Sequence, residues 1–145
     1  MELDINAISK TYSKKNIMVI GDIILDAYIY GNIERISQEA PVPIVAINKK
    51  DFKLGGAANV ALNLNGLGAN VVLIGIAGKD SGSRKLSSCF AGFDRINNQI
   101  IKCKDRSTSI KTRVIADGRQ IARLDSETTE KISDHYMKKV IELFD

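Results

Sequence analysis

Apolar residues along the middle of the chain alternate between continuous runs and a helical spacing. The segments NIMVIGD (16–22) and NVVLIGIAG (70–78) are continuous runs, which is the pattern of strands buried on both faces. Between them, apolar positions recur every three or four residues, at Ala57, Val60, Ala61, Leu64 and Leu67. This spacing predicts a helix over 56–67, with Gly66 and Gly68 supplying its stop.

A second helix and a third strand continue the alternation. The segment KDSGSRKLSSCFAG (79–92) predicts a helix with Asp80 or Ser81 as its N-cap and Gly92 at its end. The segment NNQIIKC (97–103) predicts a short strand. The order strand, helix, strand, helix, strand indicates a parallel sheet with right-handed crossovers, so the expected fold class is α/β.

Two other segments predict a separate and more exposed β-element. AYIYGNI (27–33) and PVPIVAINK (41–49) are rich in β-branched and aromatic residues. Pro41 and Pro43 place the second segment at a sheet edge or at the start of a strand.

A hairpin is predicted further along the chain. The segments TSIKTRVIA (108–116) and RQIARLDSE (119–127) flank Asp117-Gly118, the dipeptide expected of a two-residue type I′ turn. Strand alternation gathers three side chains on one face of the first segment: Lys111, Arg113 and Ile115. Such a basic face can bind an anion, and the alternative that these are simply solvent-facing residues stays equally open.

Helices are predicted at both ends of the chain. Residues 3–12 form a short leading helix, and SDHYMKKVIELFD (133–145) forms an amphipathic one that Ser133 begins as N-cap. A final helix that follows only three core strands suggests that the chain is part of a larger domain.

Composition and charge exclude several classes of function. The chain has 145 residues, of which 44% are hydrophobic and 26% charged, as expected of one globular domain. Its 21 basic and 17 acidic residues give a net charge of +4. The lysine pairs are scattered and lack interleaved aromatic residues, so we expect no nucleic-acid partner. A small anionic substrate is compatible with this charge.

The cysteines and the N-terminal segment give a cytoplasmic expectation. Cys89 and Cys103 have no CxxC spacing and no nearby histidine, so we expect reduced thiols and no metal site. Residues 1–15 contain no continuous apolar core of a secretory signal, and no later run reaches the length of a membrane span. The sequence therefore predicts a cytoplasmic protein that does not bind membranes.

The segment KLGGAAN (53–59) places small residues at the start of the predicted helix. Free N–H groups and the positive end of the helix dipole favour a polar or anionic ligand there, and missing side chains let it approach. The segment is not GxGxxG, and no GxxxxGK[ST] occurs. A nucleotide-binding domain of another kind, such as an oxidoreductase, is therefore disfavoured.

The spacing of these small residues resembles the first signature of the ribokinase-like (PfkB) carbohydrate kinases. The matching residues are Gly55, Gly56, Ala57, Asn59, Ala61, Gly68 and Gly78. The preceding VIGDIILDAYIYG resembles the family's first strand, with Asp26 as its closing residue. The segments RISQEAPVPIV and TRVIADGRQIARLD narrow the resemblance to the members that phosphorylate heptose 7-phosphate.

The resemblance implies a doubly wound α/β core with a small β-sheet lid, truncated after the N-terminal half. The core would take in about 16–26 and 53–106, and the lid strands about 27–48 and 108–125. It also implies a set of substrate-binding residues. Asp26 and Asn59 would bond sugar hydroxyls, with close backbone approach at Gly55, Gly56 and Ala57. The phosphate already on the sugar would pair with Arg113 and less directly with Arg123 or Arg35.

The function implied is that of the sugar-phosphate-binding half of an ATP-dependent kinase. The parent protein would phosphorylate heptose 7-phosphate at O1, on the route to ADP-heptose for lipopolysaccharide, with ATP and Mg²⁺. The family's catalytic Gly-x-Gly-Asp turn does not occur in this sequence, so the resemblance implies that the chain alone is inactive and binds neither cofactor. The alternative is a non-catalytic sugar-phosphate-binding or self-associating module. A homodimer through the lid is a further expectation.

Overall fold

The computed structural model describes residues 10–143, which form two sheets with helices packed on them. Of the predicted leading helix, residues 3–9 lie outside the described residues and residues 10–12 are helical, while residues 144–145 of the final helix are also outside. In chain order the remaining elements are β1 (Asn16–Ile20), β2 (Ile23–Ile36), β3 (Pro43–Gly56), α1 (Ala57–Gly66), β4 (Asn70–Gly78), α2 (Ser81–Cys89), β5 (Ile96–Cys103), β6 (Ser109–Ala116), β7 (Arg119–Ser126) and α3 (Asp134–Ile141).

The first sheet, here called the core sheet, is parallel. Its strand order is β1-β4-β5, with Asn16 opposite Asn70 and Val71 opposite Ile96. The three strands are those predicted from the apolar runs, and the parallel arrangement is confirmed. The α/β fold expected from the order of elements is therefore the observed one.

Helices cover both faces of the core sheet. On one face, Ala58 and Ala61 of α1 are fully buried in a cluster with Val71 and Leu73 of β4, and Leu86 of α2 joins it. On the other face, Met137 and Val140 of α3 line an apolar cavity of about 220 Å³ together with Ile20 and Ile76. Small side chains on α1 allow the helix to lie close to the sheet, so this face holds most of the buried apolar residues.

The second sheet, here called the lid sheet, has the order β3-β2-β6-β7. Strand β2 pairs antiparallel with β3 and parallel with β6, and β6 and β7 form the predicted hairpin. Its turn residues Asp117 and Gly118 both have positive φ, 49° and 74°, as a type I′ turn requires. The hairpin prediction is confirmed.

The lid strands are longer than the sequence analysis expected. Strands β2 and β3 have 14 residues each, so 23–26 and 53–56, which we assigned to the core, belong to the lid sheet. The first strand ends at Ile20, and Asp26 accordingly lies inside β2 and does not close β1. The strand is interrupted at Asp22, between β1 and β2. The carbonyl oxygen of Asp22 accepts the N–H of Ala57 at 2.9 Å, and this hydrogen bond turns the chain out of the core sheet.

Helix α2 shows how a local sequence sets an element's bounds. Asp80 is its N-cap, accepting the N–H of Ser83, and the Ser83 hydroxyl accepts the N–H of Asp80 in a capping box. The helix ends at Cys89, whereas Gly92 was predicted as its end and lies beyond it with φ of 88°. None of the helices in the described range 10–143 has the length and apolar character that crossing a bilayer requires.

Candidate functional site

Positions 55 and 56 require glycine because neighbouring parts of the same chain leave no room for a side chain. Gly55 is buried within β3, and a Cβ there would overlap the carboxylate of Asp26. Gly56 ends the strand and begins α1 with φ of 55°, and a Cβ there would overlap the carbonyl oxygen of Asp22. Both glycines therefore let the segment 22–26 lie against the start of α1, and the close approach of a ligand to them stays a prediction.

The central polar contact of the lid sheet joins Asp26 to Arg113. The Arg113 guanidinium donates from Nη1 to Oδ1 of Asp26 at 2.5 Å, across the parallel pair β2 and β6. The side chains keep 21% and 26% of their surface exposed, so the pair is accessible yet mostly enclosed. This hydrogen bond raises the pKa of the Arg113 guanidinium, which therefore stays charged.

The ring of Tyr28 packs against two cationic side chains, those of Arg113 and Lys53. The Arg113 guanidinium carbon is 5.4 Å from the ring centre of Tyr28, and the Lys53 ammonium is 5.2 Å from the same ring. Tyr28 is itself stacked on Tyr30 at 6.2 Å. Strand alternation places Asp26, Tyr28 and Arg113 on one side, which we call the polar face of the lid sheet. Two cations over one ring concentrate positive charge beside the Asp26 carboxylate.

A second ionic network lies on the same face, on β6 and β7. The Lys111 ammonium donates to Asp125 at 3.3 Å and to Glu127 at 3.0 Å, and Arg123 makes a bidentate pair with Asp125 at 2.9 Å. These hydrogen bonds raise the pKa of Lys111 and Arg123, and the pairing with Arg123 lowers that of Asp125. Arg123 lies directly opposite Arg113 in the ladder.

A cleft of about 510 Å³ lies beside the first residues of β2 and β6, just before the Asp26–Arg113 pair. Its wall includes Ile24, two residues before Asp26 on β2, and Lys111, two residues before Arg113 on β6. The segment 127–132 forms the opposite side. The polar face therefore borders a space large enough for a small phosphorylated molecule.

Two of the remaining predicted residues lie at the start of α1. Ala57 uses its N–H on the carbonyl oxygen of Asp22, so that donor is taken. Asn59 is exposed in the first turn, and its side chain has no hydrogen-bond partner among residues 10–143. Within the described part of the chain no side chain caps this helix, which leaves first-turn N–H groups available to a ligand.

The predicted residues fall into two groups, one around Asp26 and one at the start of α1, and one outlier. Asp26, Gly55 and Arg113 are in contact or adjacent, with Arg123 beside them. Arg35 is exposed near the far end of β2, about 30 Å along the strand from Asp26. Sequence analysis placed Lys111 on the face of Arg113 without selecting it, and missed several others on that face: Tyr28, Lys53 and Asp125. The alternation of charged positions along β3 and β7 was the available signal for Lys53 and Asp125.

Within 10–143, no group of three or more His, Cys, Asp and Glu side chains is arranged to hold a metal ion. The two cysteines are both free thiols, and Cys103 is completely buried.

Comparison with known proteins assigns the family. The pfkB family carbohydrate kinases match residues 14–145 of this chain. The chain belongs to that family.

Curated relatives are similar over nearly the whole chain. The bifunctional protein HldE of Helicobacter pylori strain HPAG1 is 42% identical over 130 residues, which is 90% of this chain and 28% of the relative. The HldE of Coxiella burnetii strain RSA 331 is 44% identical over 128 residues, 88% of this chain and 26% of the relative. This chain thus spans little more than a quarter of the length of these relatives.

Solved structures share the fold. A possible 1-phosphofructokinase from Thermotoga maritima superimposes with a TM-score of 0.68 at 16% identity, covering 90% of this chain and 40% of that one. Phosphofructokinase-2 from Escherichia coli gives 0.65 at 16% identity, covering 88% and 39%. These likenesses establish a ribokinase-like fold of which this chain is the smaller part.

Proposed function

We propose that this chain is the sugar-phosphate-binding portion of an ATP-dependent carbohydrate kinase that acts on heptose 7-phosphate. The parent protein would phosphorylate the sugar at O1, in the cytoplasm, on the way to ADP-heptose for lipopolysaccharide. The similarity to HldE proteins supports the heptose, and family membership supports the kinase. The observation that carries the proposal is the Asp26–Arg113 pair on the polar face of the lid sheet.

Asp26 has the chemistry to orient a sugar. A carboxylate accepts hydrogen bonds at two oxygens, and Arg113 contacts only Oδ1. Gly55 leaves room for the carboxyl group and holds it against β3. A fixed carboxylate that is partly exposed can accept hydrogen bonds from adjacent hydroxyls, which is how polar sites fix a ligand's orientation.

Arg113 has the chemistry to bind the phosphate already on the sugar. A guanidinium carries five N–H donors, and the bond to Asp26 uses the Nη1 group. Its other donors can form a bidentate pair with phosphate oxygens. Tyr28 packs beneath the guanidinium and restricts its orientation. Lys111 and Arg123 add positive charge nearby, although each is already paired with an acidic residue.

We propose that this chain alone binds neither ATP nor Mg²⁺. The Gly-x-Gly-Asp element is absent from the sequence, and residues 10–143 contain no group of three or more His, Cys, Asp and Glu side chains that could hold a metal ion. On this proposal phosphoryl transfer depends on residues beyond this chain, and the chain itself binds and orients the sugar.

Isothermal titration of the chain with heptose 7-phosphate tests this proposal, with circular dichroism to show that each variant is folded. Fructose 6-phosphate and ATP are the ligand controls. We expect heptose 7-phosphate to bind, with affinity reduced about tenfold to a hundredfold in Asp26→Asn and Asn59→Ala because each loses a hydrogen bond to the sugar. Arg35→Ala is the matched control, since it removes an exposed arginine of the same strand far from Asp26.

The outcome tests whether the polar face carries a sugar-phosphate site. Binding that Asp26→Asn does not weaken would move the site elsewhere on the chain. Failure of the folded chain to bind any of the three ligands would count against a sugar-phosphate site on this chain and favour the self-associating module.

A homodimer through the lid is the partner we propose. The lid exposes large apolar side chains to solvent: Ile33, Ile36, Ile47 and Leu124 on its strands and Val42 just before β3. Exposed apolar groups of this kind are typical of association surfaces. Sedimentation equilibrium is expected to give a dimer that Ile36→Asp dissociates. A monomer at all concentrations would remove this part of the proposal.

A further inference from the structure

Asp80 and Thr108 form a compact hydrogen-bonded unit at the junction of the two sheets. The Thr108 N–H donates to Oδ2 of Asp80 at 2.8 Å, and the Thr108 hydroxyl donates to Oδ1 at 2.7 Å. The same hydroxyl accepts the N–H of Gly78 at 3.0 Å. Thr108 is only 1% exposed, so these bonds are shielded from water. We call Gly78, Asp80 and Thr108 the Asp80 latch.

Glycines surround the latch because no side chain fits there. A Cβ on Gly78 would overlap the Asp80 carboxylate and lie 2.6 Å from the Thr108 nitrogen. A Cβ on Gly82 would lie 3.1 Å from the Cβ of Thr108. The core strand β4, the start of α2 and the residue before β6 are therefore packed at backbone distance.

The latch fixes the point at which β6 enters the lid sheet. Thr108 immediately precedes Ser109, which lies opposite Ile24 at the first position of the β2–β6 pair. Strand β6 runs parallel to β2, so no hairpin turn sets the register between them. A shift of one residue would move Arg113 to the other face of the sheet, away from Asp26.

The far end of β6 is held separately. Asp117 accepts the N–H of Ile33 at 3.3 Å and donates its own N–H to the carbonyl of Gly31. The near end, which carries Lys111 and Arg113, has its anchor at Thr108. At this end the latch supplies hydrogen bonds to β4 and α2, and Ile110 adds an apolar contact with the core cluster.

We propose that Asp80 and Thr108 are positioning residues for the sugar-phosphate site. By holding the start of β6 on the core, they keep Arg113 in register with Tyr28 and within bonding distance of Asp26. They touch no ligand and act through Arg113. This inference rests on the proposed function for its effect on binding, while its structural part stands by itself.

Amide hydrogen exchange separates this role from a general effect on stability. Thr108→Val removes the hydroxyl at nearly constant volume, and Thr108→Ser retains it. In Thr108→Val we expect exchange at amides 109–113 to accelerate about tenfold, together with that of Gly78, which loses its acceptor, while the other β4 amides are unchanged. Thr108→Ser is expected to exchange like the wild type. Val71→Ala, in the core of β4, is the destabilised control and should accelerate exchange throughout.

Binding then tests the consequence. Where all variants are folded, Thr108→Val should weaken heptose 7-phosphate binding about tenfold, and Thr108→Ser and Val71→Ala should leave it unchanged. Unaltered exchange at 109–113, or an increase as uniform as in Val71→Ala, would overturn the latch. Local acceleration without loss of affinity would overturn its positioning role. If the wild type binds no heptose 7-phosphate, the proposed function fails while the exchange result still decides the latch.

Discussion

The Asp26 carboxylate occupies the space that a side chain on Gly55 would need. The two residues lie on neighbouring strands, with Asp26 opposite Lys53 and Gly55 opposite Ile24. A Cβ on Gly55 would overlap the carboxylate. The glycine of the pfkB signature at this position therefore seats the acidic residue that we propose binds the sugar.

Gly55→Ala tests this relationship. The added methyl group must displace the Asp26 carboxyl or shift β3, and overpacking of this kind costs about 1–3 kcal/mol. We expect a lower midpoint in urea unfolding and, in the folded protein, weaker binding of heptose 7-phosphate. Both effects come from the same displaced carboxylate.

Gly66→Ala is the control for the loss of a glycine. Gly66 is the last residue of α1, and a Cβ there would meet nothing within 4 Å. Alanine favours the helix by up to about 1 kcal/mol, so we expect unchanged or higher stability. Equal stability of Gly55→Ala and the wild type would show that β3 absorbs the methyl group and that Asp26 is not held by the glycine.

The Asp80 latch predicts a specific pH dependence. Partial burial would raise the pKa of the Asp80 carboxyl, but hydrogen bonds from Thr108 and Ser83 outweigh it, so the pKa lies below its usual value. A lowered pKa contributes stability above the unfolded-state value of about 4, and this is lost as pH falls through the folded-state pKa. The advantage of the wild type over Asp80→Asn should be constant above about pH 5 and shrink below about pH 4.

Urea unfolding of both proteins between pH 3 and pH 7 measures this difference. Asp125→Asn is a useful comparison. The pKa of the Asp125 carboxyl is also lowered, but its partners Arg123 and Lys111 lie in a partly exposed network. Added salt should reduce the effect at Asp125 more than at Asp80. A wild-type advantage that does not change with pH would contradict an ionised Asp80 in the latch.

The thiols are expected to react in a fixed order. Burial raises the pKa of both Cys89 and Cys103, and Cys103 is completely buried while Cys89 is half-buried. With a thiol reagent at pH 8, Cys89 should react slowly and Cys103 only on unfolding, because the thiolate is the reactive form. Rapid reaction of both in the folded chain would show that the core around β5 opens readily.

The core could be predicted because its signals are local. Strands β1 and β4 are continuous apolar runs, α1 has helical spacing, and Asp117-Gly118 specifies its own turn. Each depends on residues that are neighbours in sequence. The full length of β3 was not predicted because its segment 49–53 is polar. Strand β3 is an edge strand, and an edge strand can expose charged side chains that a buried strand cannot.

The site was predictable only in part. Family resemblance selected Asp26 and Arg113, which are 87 residues apart in the sequence. Their contact depends on the parallel pairing of β2 with β6, which no turn specifies. The Asp80 latch was visible only as a helix N-cap. Its second partner, Thr108, lies 28 residues further along the chain and is brought there by the fold.

The most direct test is a cycle that removes Arg113 from the protein and the phosphate from the sugar, separately and together. Heptose 7-phosphate and heptose without its phosphate are titrated into the wild type and Arg113→Ala. We predict that Arg113→Ala weakens heptose 7-phosphate binding about tenfold to a hundredfold and leaves binding of the unphosphorylated sugar nearly unchanged. An equal loss for both ligands, or none for either, would contradict the assignment of Arg113 to the phosphate and of this face to the substrate.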